Sequence, residues 1–551
     1  MPQWSISNSP DNIALFPVGS SDEGPMATMS ATFNDILYAE NSSFSVVLLV
    51  IGALSIGWAV QRLRRYYAAW VDVPVVGDHG AIGAWIAAYK WEKNARHLIQ
   101  EGYEKHRDYA FQVATPSRWE VWICNDQMVK EYKNLMDEDF SANAVTADLF
   151  QTEWTLPGAA EGVHKIPIPL LHKGLTWQRG RSLAKDDPYF QQFVTEFFHA
   201  WEVETNITGD GWNELCCYEI GTRIVAHLTA KSLVGYPLCR DPELIELFAA
   251  YGNAVPISGF FISMFPEFMK PFVARFCQAP KMASRLDQMF LDEMERRAAD
   301  PPKEPGDIMD WTWQYTEKNE PGVYQRVHIA RSITSSVFGA IHTTTQVLAH
   351  CLFELAVRSE YVDPLRQEVE QAFESHNGWT KSAIESMPKL DSFVKECQRF
   401  NPLDSGSLAR RATRDFQFQN GLKIPRGTFV FSPNAPVLFD ERYYPNASEF
   451  DGYRFYKLGL ETGKPADHKF VSTNPRYLQF GDARHTCPGR HMAADEIRLM
   501  LAHILRNYHI STKDHGPRPE NWFFKKILFP DMSGLVVLKP RQAGKRGDVV
   551  V

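Results

Sequence analysis

The residues of this 551-residue chain best suited to chemistry lie in Phe480-Gly481-Asp482-Ala483-Arg484-His485-Thr486-Cys487-Pro488-Gly489. Met492, Ile497, Leu501, Ile504, Leu505 and Tyr508 follow at helical spacing, which predicts a loop entering a helix just after Cys487. A thiol there is biased toward thiolate, because the helix dipole and unpaired backbone N–H groups stabilise the anion. Pro488 fits the first turn, where its missing N–H would have been unpaired in any case. Taken alone, the decapeptide is also compatible with a buried structural cysteine. Two other segments carry comparable signals. Glu396 and Arg399 lie three apart within Phe393-Val394-Lys395-Glu396-Cys397-Gln398-Arg399-Phe400, so on a helix they share a face and can pair. Ile333 to Leu355 reads as one long apolar helix interrupted at Gly339-Ala340-Ile341-His342-Thr343-Thr344, where small residues and hydroxyls loosen the hydrogen-bond ladder. In isolation, an E-x-x-R is a surface ion bridge and a mid-helix threonine bonds its own backbone.

In order and spacing, these segments resemble those of cytochromes P450. The decapeptide is similar to the haem-ligand loop, and Pro445-Asn446-Ala447-Ser448-Glu449-Phe450-Asp451-Gly452-Tyr453-Arg454-Phe455 resembles the meander whose arginine completes the Glu-Arg pair. The resemblance implies that Cys487 is the axial thiolate ligand of a haem b iron, with Phe480 and Gly489 framing it. It implies His485 and Arg410 as propionate partners, Arg411 being the alternative to Arg410. Glu396, Arg399 and Arg454 would form a structural charge network. Thr343 aligns with the threonine that handles water and protons during oxygen activation. His342 stands where many members carry a carboxylate, and Thr344 is the neighbouring catalytic candidate. Trp177-Gln178-Arg179-Gly180-Arg181 matches a W-x-x-x-R pattern so short that it recurs by chance.

Two positions depart from the family. Ala483 replaces a common glycine, so it must avoid positive φ or accept strain; His485 replaces a commoner arginine and brings pH sensitivity. His485 and the Ile-His-Thr-Thr string resemble those of filamentous-fungal members that decorate terpenoids and polyketides. Substrate contacts are expected from Val145 to Leu171, Phe338 and Ile341, Asn401 to Leu408, and Phe529-Pro530-Asp531-Met532.

The fold expected is mainly α with small β-sheets, the P450 fold preceded by a single transmembrane helix. Apolar content of 44% and aromatic content of 13% suit a large globular core. The net charge of −8 argues against nucleic acid as a partner. The eight cysteines show no C-x-x-C spacing, which fits a reducing compartment without a zinc or iron–sulfur framework. Asn41 to Gln61 carries no charge and is followed by Arg62, Arg64 and Arg65, while the residues before it hold acids and no lysine or arginine. This predicts a lumenal tail over 1–41, a transmembrane anchor over 42–61, a basic linker and proline hinge over 62–80, and a cytosolic catalytic domain over 81–551; a cleaved signal peptide is the alternative. The location implied is the endoplasmic-reticulum membrane. The apolar stretch Tyr251 to Met282, interrupted by Pro256, Pro266 and Pro271, reads either as a lid dipping into lipid or as core helices. The resemblance further implies a lipophilic small-molecule substrate, with NADPH-cytochrome P450 reductase (through its FAD and FMN) and cytochrome b5 as electron-transfer partners. Same-fold desaturation or rearrangement, and a non-catalytic haem sensor, are the alternatives.

Overall fold

In the computed structural model the described residues are 70–77, 80–159, 168–184, 187–300 and 302–541, with Gly52, Ile56, Gly57 and Val60 before them. The predicted tail and anchor therefore fall almost wholly outside the described residues. Arg62–Val551 is one compact unit.

That unit is built on long helices: α1 (Gly80–His106), α2 (Asp126–Lys133), α3 (Ala142–Phe150), α4 (Ile168–Leu183), α5 (Tyr189–Thr205), α6 (Cys217–Leu233), α7 (Pro242–Ser263), α8 (Gln278–Ala299), α9 (Ile308–Asn319), α10 (Arg326–Val357), α11 (Val362–Ser375), α12 (Pro388–Phe400), α13 (Arg454–Thr462) and α14 (Arg490–Asn507). α10, about 48 Å long at 1.5 Å per residue, packs on α6, α7, α8, α12 and α14. Its first half buries Ile329, Ile333, Val337 and Ile341 against Leu244, Phe248 and Val255 of α7 and Leu286 and Phe290 of α8. Its second half buries Val347, Leu348, Leu352 and Phe353 with Leu390 and Phe393 of α12 and Ala494, Ile497 and Leu501 of α14. The Gly339–Thr344 interruption thus ends where one core gives way to the other.

A six-stranded sheet lies to one side, in the order β1 (Val75–Val76), β2 (Ala110–Ala114), β3 (Trp119–Ile123), β6 (Phe429–Pro433), β5 (Gly406–Ala412), β4 (Phe140–Ser141). β1–β2 and β3–β6 are parallel and the other pairs antiparallel. In β5 the buried residues are Gly406, Leu408, Arg410 and Ala412, alternating with half-buried ones. The register shifts between Ser407 and Arg410, and Leu408 takes φ +52°, as at a bulge that re-aims side chains.

Two expectations change here. Pro256 does not end a helix, because α7 runs through it to Ser263; the proline sits on the exposed outer side, where its ring meets no packed neighbour and only the hydrogen bond to the Gly252 carbonyl is lost. Among the described residues α7 is the helix long and apolar enough to cross a membrane, but it buries Leu244, Ile245, Phe248, Tyr251 and Val255 in the core. Its large exposed apolar side chains are gathered at the far end, Ile257, Phe260 and Phe261, with Met264 just beyond the helix.

Arg410 is held by the backbone at the end of α2. It is 1% exposed, and its terminal nitrogens donate to the carbonyls of Tyr132 (3.0 Å), Leu135 (3.2 Å) and Lys133 (3.0 Å). It therefore ties down the C-terminal end of α2 and the residues just after it, supplying partners to the Lys133 and Leu135 carbonyls and a further one to the Tyr132 carbonyl, which also accepts from the Leu135 N–H. Arg410→Met removes these partners and leaves the Lys133 and Leu135 carbonyls without them, so it should lower the unfolding free energy by about 3 kcal/mol in denaturant titrations. An unchanged midpoint would show that Arg410 does not hold α2.

Candidate active site

Cys487 occupies the expected loop, and α14 begins three residues later at Arg490. Its backbone N–H donates to the Phe480 carbonyl at 2.7 Å, closing the loop on itself. The Phe480 ring packs edge-on to Phe470, 5.1 Å away, at the margin of the core. Burial pushes the Cys487 thiol up, while the backbone N–H groups of Gly489 and Arg490 and the charge of Arg490 pull it back. The sulfur therefore has a set of donors waiting for negative charge, as a thiolate ligand to a metal requires. This donor set fits a haem iron.

The loop is strained where the sequence departs from glycine. Ala483 takes the left-handed conformation, φ +54°, at a cost of about 1–2 kcal/mol. Asp482 Oδ1 accepts from the Ala483 N–H at 2.8 Å, Asp482 Oδ2 accepts from Lys133 Nζ at 2.7 Å, and the Thr486 hydroxyl donates to the Ala483 carbonyl at 2.7 Å. Gly481 has no substitute, because with φ +69° a Cβ there would lie 2.7 Å from the His485 carbonyl oxygen. His485 Nε2 pairs with Asp137 at 3.0 Å, so in this structure its partner is a carboxylate. Burial and the nearby Arg410 lower its proton affinity, and Asp137 raises it. Arg181 is also engaged elsewhere, donating to both oxygens of Asp187 (2.6 and 2.8 Å) and to the Pro305 carbonyl.

The charge network is assembled from two segments, α12 and the start of α13. Arg399 donates to both oxygens of Glu396 at 2.8 Å, with both side chains 0% exposed. Arg454 Nε lies 3.2 Å from each of those oxygens.

On α10 the residues of the interruption divide by face. Gly339 and Thr343 are exposed although their helix is packed along its length, and a Cβ on Gly339 would meet nothing within 4 Å. The Thr343 hydroxyl donates to the Gly339 carbonyl at 2.9 Å. Phe338 is half-buried and meets Phe150 of α3 edge-on at 4.9 Å. Ile341, expected at the substrate, is fully buried in the core instead. Thr344 is buried, its hydroxyl donating to the Ala340 carbonyl at 2.8 Å. His342 is turned away from the Thr343 face, because adjacent helical residues point about 100° apart. Its Nδ1 lies 3.0 Å from the Tyr218 hydroxyl of α6, and burial pushes its pKa down to about 4. Sequence reasoning missed Tyr218, Asp482 and Lys133, because their only signal is tertiary contact.

The His342 shift fixes a sign. A histidine in the unfolded chain titrates near 6.5, so as pH falls from 6.5 toward 4 the unfolded state takes up a proton that the native state refuses. Stability is lost across that window. His342→Gln should show a shallower fall of Tm between pH 6.5 and 4 than the unsubstituted protein; equal slopes would contradict a neutral, buried imidazole.

Comparison with known proteins agrees with this geometry. The model of the family described as Cytochrome P450 matches residues 170–536. The chain is 68% identical to cytochrome P450 monooxygenase janQ of Penicillium janthinellum over 90% of this chain and 98% of that protein. It is 62% identical to cytochrome P450 monooxygenase atmQ of Aspergillus flavus over 89% and 93% of the two chains, and 60% identical to paxQ of Penicillium paxilli over 92% and 98%. A cysteine held at a helix start by two amides, a buried Glu-Arg-Arg network and near full-length identity to named enzymes lead to one conclusion: the chain belongs to the cytochrome P450 family and is a monooxygenase.

Proposed function

We propose that the protein is a membrane-anchored haem-thiolate enzyme that inserts one oxygen atom of O2 into a lipophilic secondary metabolite, a terpenoid or polyketide-derived scaffold. Its electrons come from NADPH through cytochrome P450 reductase at the endoplasmic reticulum. The observation that carries this reading is the Cys487 sulfur, directed at by the amides of Gly489 and Arg490. Haem, when bound, supplies the activation of O2. Cys487 holds it from the loop side, and Gly489 and Arg490 stabilise the sulfur's charge. Thr343 Oγ1, on the open side of α10, holds and passes the protons that oxygen chemistry consumes.

Surface features support the partners. A groove of about 170 Å³ beside Pro488 is bordered by Arg179 and Arg490, with the neutral His491 and the acidic Asp495 also on its wall, and the two guanidinium groups suit an acidic electron donor. On another part of the surface Ile257, Phe260, Phe261, Met264, Phe268 and Phe272 are all exposed. Trp522, Phe523 and Phe524 of a short hairpin are exposed as well, and Lys525 of that hairpin lies 5.5 Å from the Phe260 ring. Aromatic rings edged by cations favour a bilayer surface.

The test uses the metabolite that accumulates when the gene is deleted in its producer, incubated with the reconstituted protein, reductase and NADPH under ¹⁸O2. The expected product gains one labelled oxygen. A product without label would indicate desaturation or rearrangement and overturn the reading. In the same assay Thr343→Ala should keep the CO-reduced spectrum and NADPH oxidation while diverting electrons to hydrogen peroxide, since lost acid–base help slows the productive step by about 10²-fold or more. Full coupling in that variant would remove Thr343 from proton handling.

A further inference from the structure

His342, the residue before Thr343, is held between two other helices. On one side stands Tyr218 of α6, its hydroxyl 3.0 Å from Nδ1 and its ring 6.0 Å from the imidazole at 22°. Gln346, one turn further along α10, reaches the same hydroxyl. On the other side α7 approaches through its backbone: a Cβ on Gly252 would lie 1.9 Å from His342 Cδ2 and 2.5 Å from Nε2. The backbone of Ala249 adjoins the ring from the same helix. Nε2 is buried and makes no hydrogen bond of ordinary geometry. With the Ala249 backbone carbonyl on the α7 side as acceptor for the ring, the ring proton is assigned to Nε2 and Nδ1 to accept from the Tyr218 hydroxyl.

Both helices are soft at this contact. Pro256 has no N–H to give to the carbonyl of Gly252, so the ladder of α7 is open at the residue that presses on the ring. Beyond Pro256 lie the exposed Ile257, Phe260 and Phe261. In α10 the hydroxyls of Thr343, Thr344 and Thr345 all bond back to carbonyls four residues earlier, at 2.9, 2.8 and 2.9 Å, which loosens that ladder too.

We propose that Tyr218, His342 and Gly252 form a clamp through which the position of α7 sets the placement of the Thr343 hydroxyl. His342 is a positioning residue: it touches no reacting atom, and bending of α7 at Gly252–Pro256 moves the imidazole and with it the adjacent turn of α10. Glycine at 252 is required because no side chain fits between α7 and the ring. The proposal rests on the reading of Thr343 as the proton-handling residue.

The test compares Gly252→Ala, Tyr218→Phe, their combination, Gly252→Ala/His342→Ala and Thr343→Ala in the full chain reconstituted with reductase. Product and peroxide are measured per NADPH. Gly252→Ala and Tyr218→Phe should keep the CO-reduced thiolate band and NADPH oxidation, while product per NADPH falls about tenfold through misplacement of one hydroxyl. Combining the two should cost little more than either alone, because they disable one device. Gly252→Ala/His342→Ala removes the ring that the new methyl strikes, so thermal stability should return while coupling stays low. Tyr218→Phe, which deletes one oxygen, carries the test if Gly252→Ala does not fold. If Thr343→Ala uncouples while both single clamp variants stay coupled, the clamp is wrong and the reading of Thr343 stands. If Thr343→Ala itself stays coupled, both fall. Additive losses in the combined variant would also overturn the clamp.

Discussion

A carboxylate buried beyond reach of water is the constraint on which this structure hangs. Glu396 is 0% exposed and is met by two guanidinium groups that are themselves spent on backbone carbonyls. Arg399 donates to Leu438 (2.7 Å), Ala447 (2.9 Å) and Glu449 (3.2 Å), and Arg454 to Asn446 (3.1 Å), Glu449 (2.9 Å) and Pro445. The Asp451 N–H closes the set on Glu396 Oε1 at 3.0 Å. Such a cluster is tolerable only when every member is present; loss of one leaves an uncompensated buried charge worth about 3–5 kcal/mol. The network therefore fixes a stretch between Leu438 and Arg454 that is mostly irregular.

The fixed stretch in turn positions the cysteine loop. The Tyr444 hydroxyl donates to the Arg476 carbonyl at 2.9 Å, the Tyr477 hydroxyl donates to Gln398 Oε1 at 2.7 Å, and Gln479 Nε2 donates to the Gln398 carbonyl at 3.0 Å. The segment leading to Cys487 is thus suspended from α12, the helix that carries Glu396 and Arg399. Rigidity from this network and from the Asp482–Lys133 pair lets the loop keep Ala483 in a strained conformation. The opposite requirement applies on α10, where Thr343 lies in a turn that its own hydroxyls loosen. A fixed sulfur and an adjustable hydroxyl are what binding a cofactor firmly while moving protons would demand.

Local signals were legible in the sequence, and long-range ones were not. The start of α14, the Glu396–Arg399 pairing and the existence of α10 follow from spacing and periodicity, which depend on neighbours in the chain, although α10 begins at Arg326, seven residues before the apolar run read from Ile333. The direction of Arg410 does not, because a bulge at Leu408 aims it toward the end of α2. The turn of His342 inward, away from the Thr343 face, depends on Tyr218 and Gly252, residues 124 and 90 positions away. Pro256 misled because a proline on an exposed helix face removes one hydrogen bond without ending a helix whose other side is packed. Ala483 could be read as a choice between two conformations, and only the tertiary hold of Asp482 and Lys133 decides for strain.

Haem binding and oxygen chemistry both depend on Cys487 acting as a thiolate ligand from a helix start. The most direct measurement is the CO-difference spectrum of the reduced, haem-loaded full chain and of its Cys487→Ser variant. A serine hydroxyl is no soft anionic donor, so the unsubstituted protein should show the red-shifted band of a thiolate complex and the variant should lose it. A variant that retains the band unchanged would place the ligand elsewhere and contradict the account.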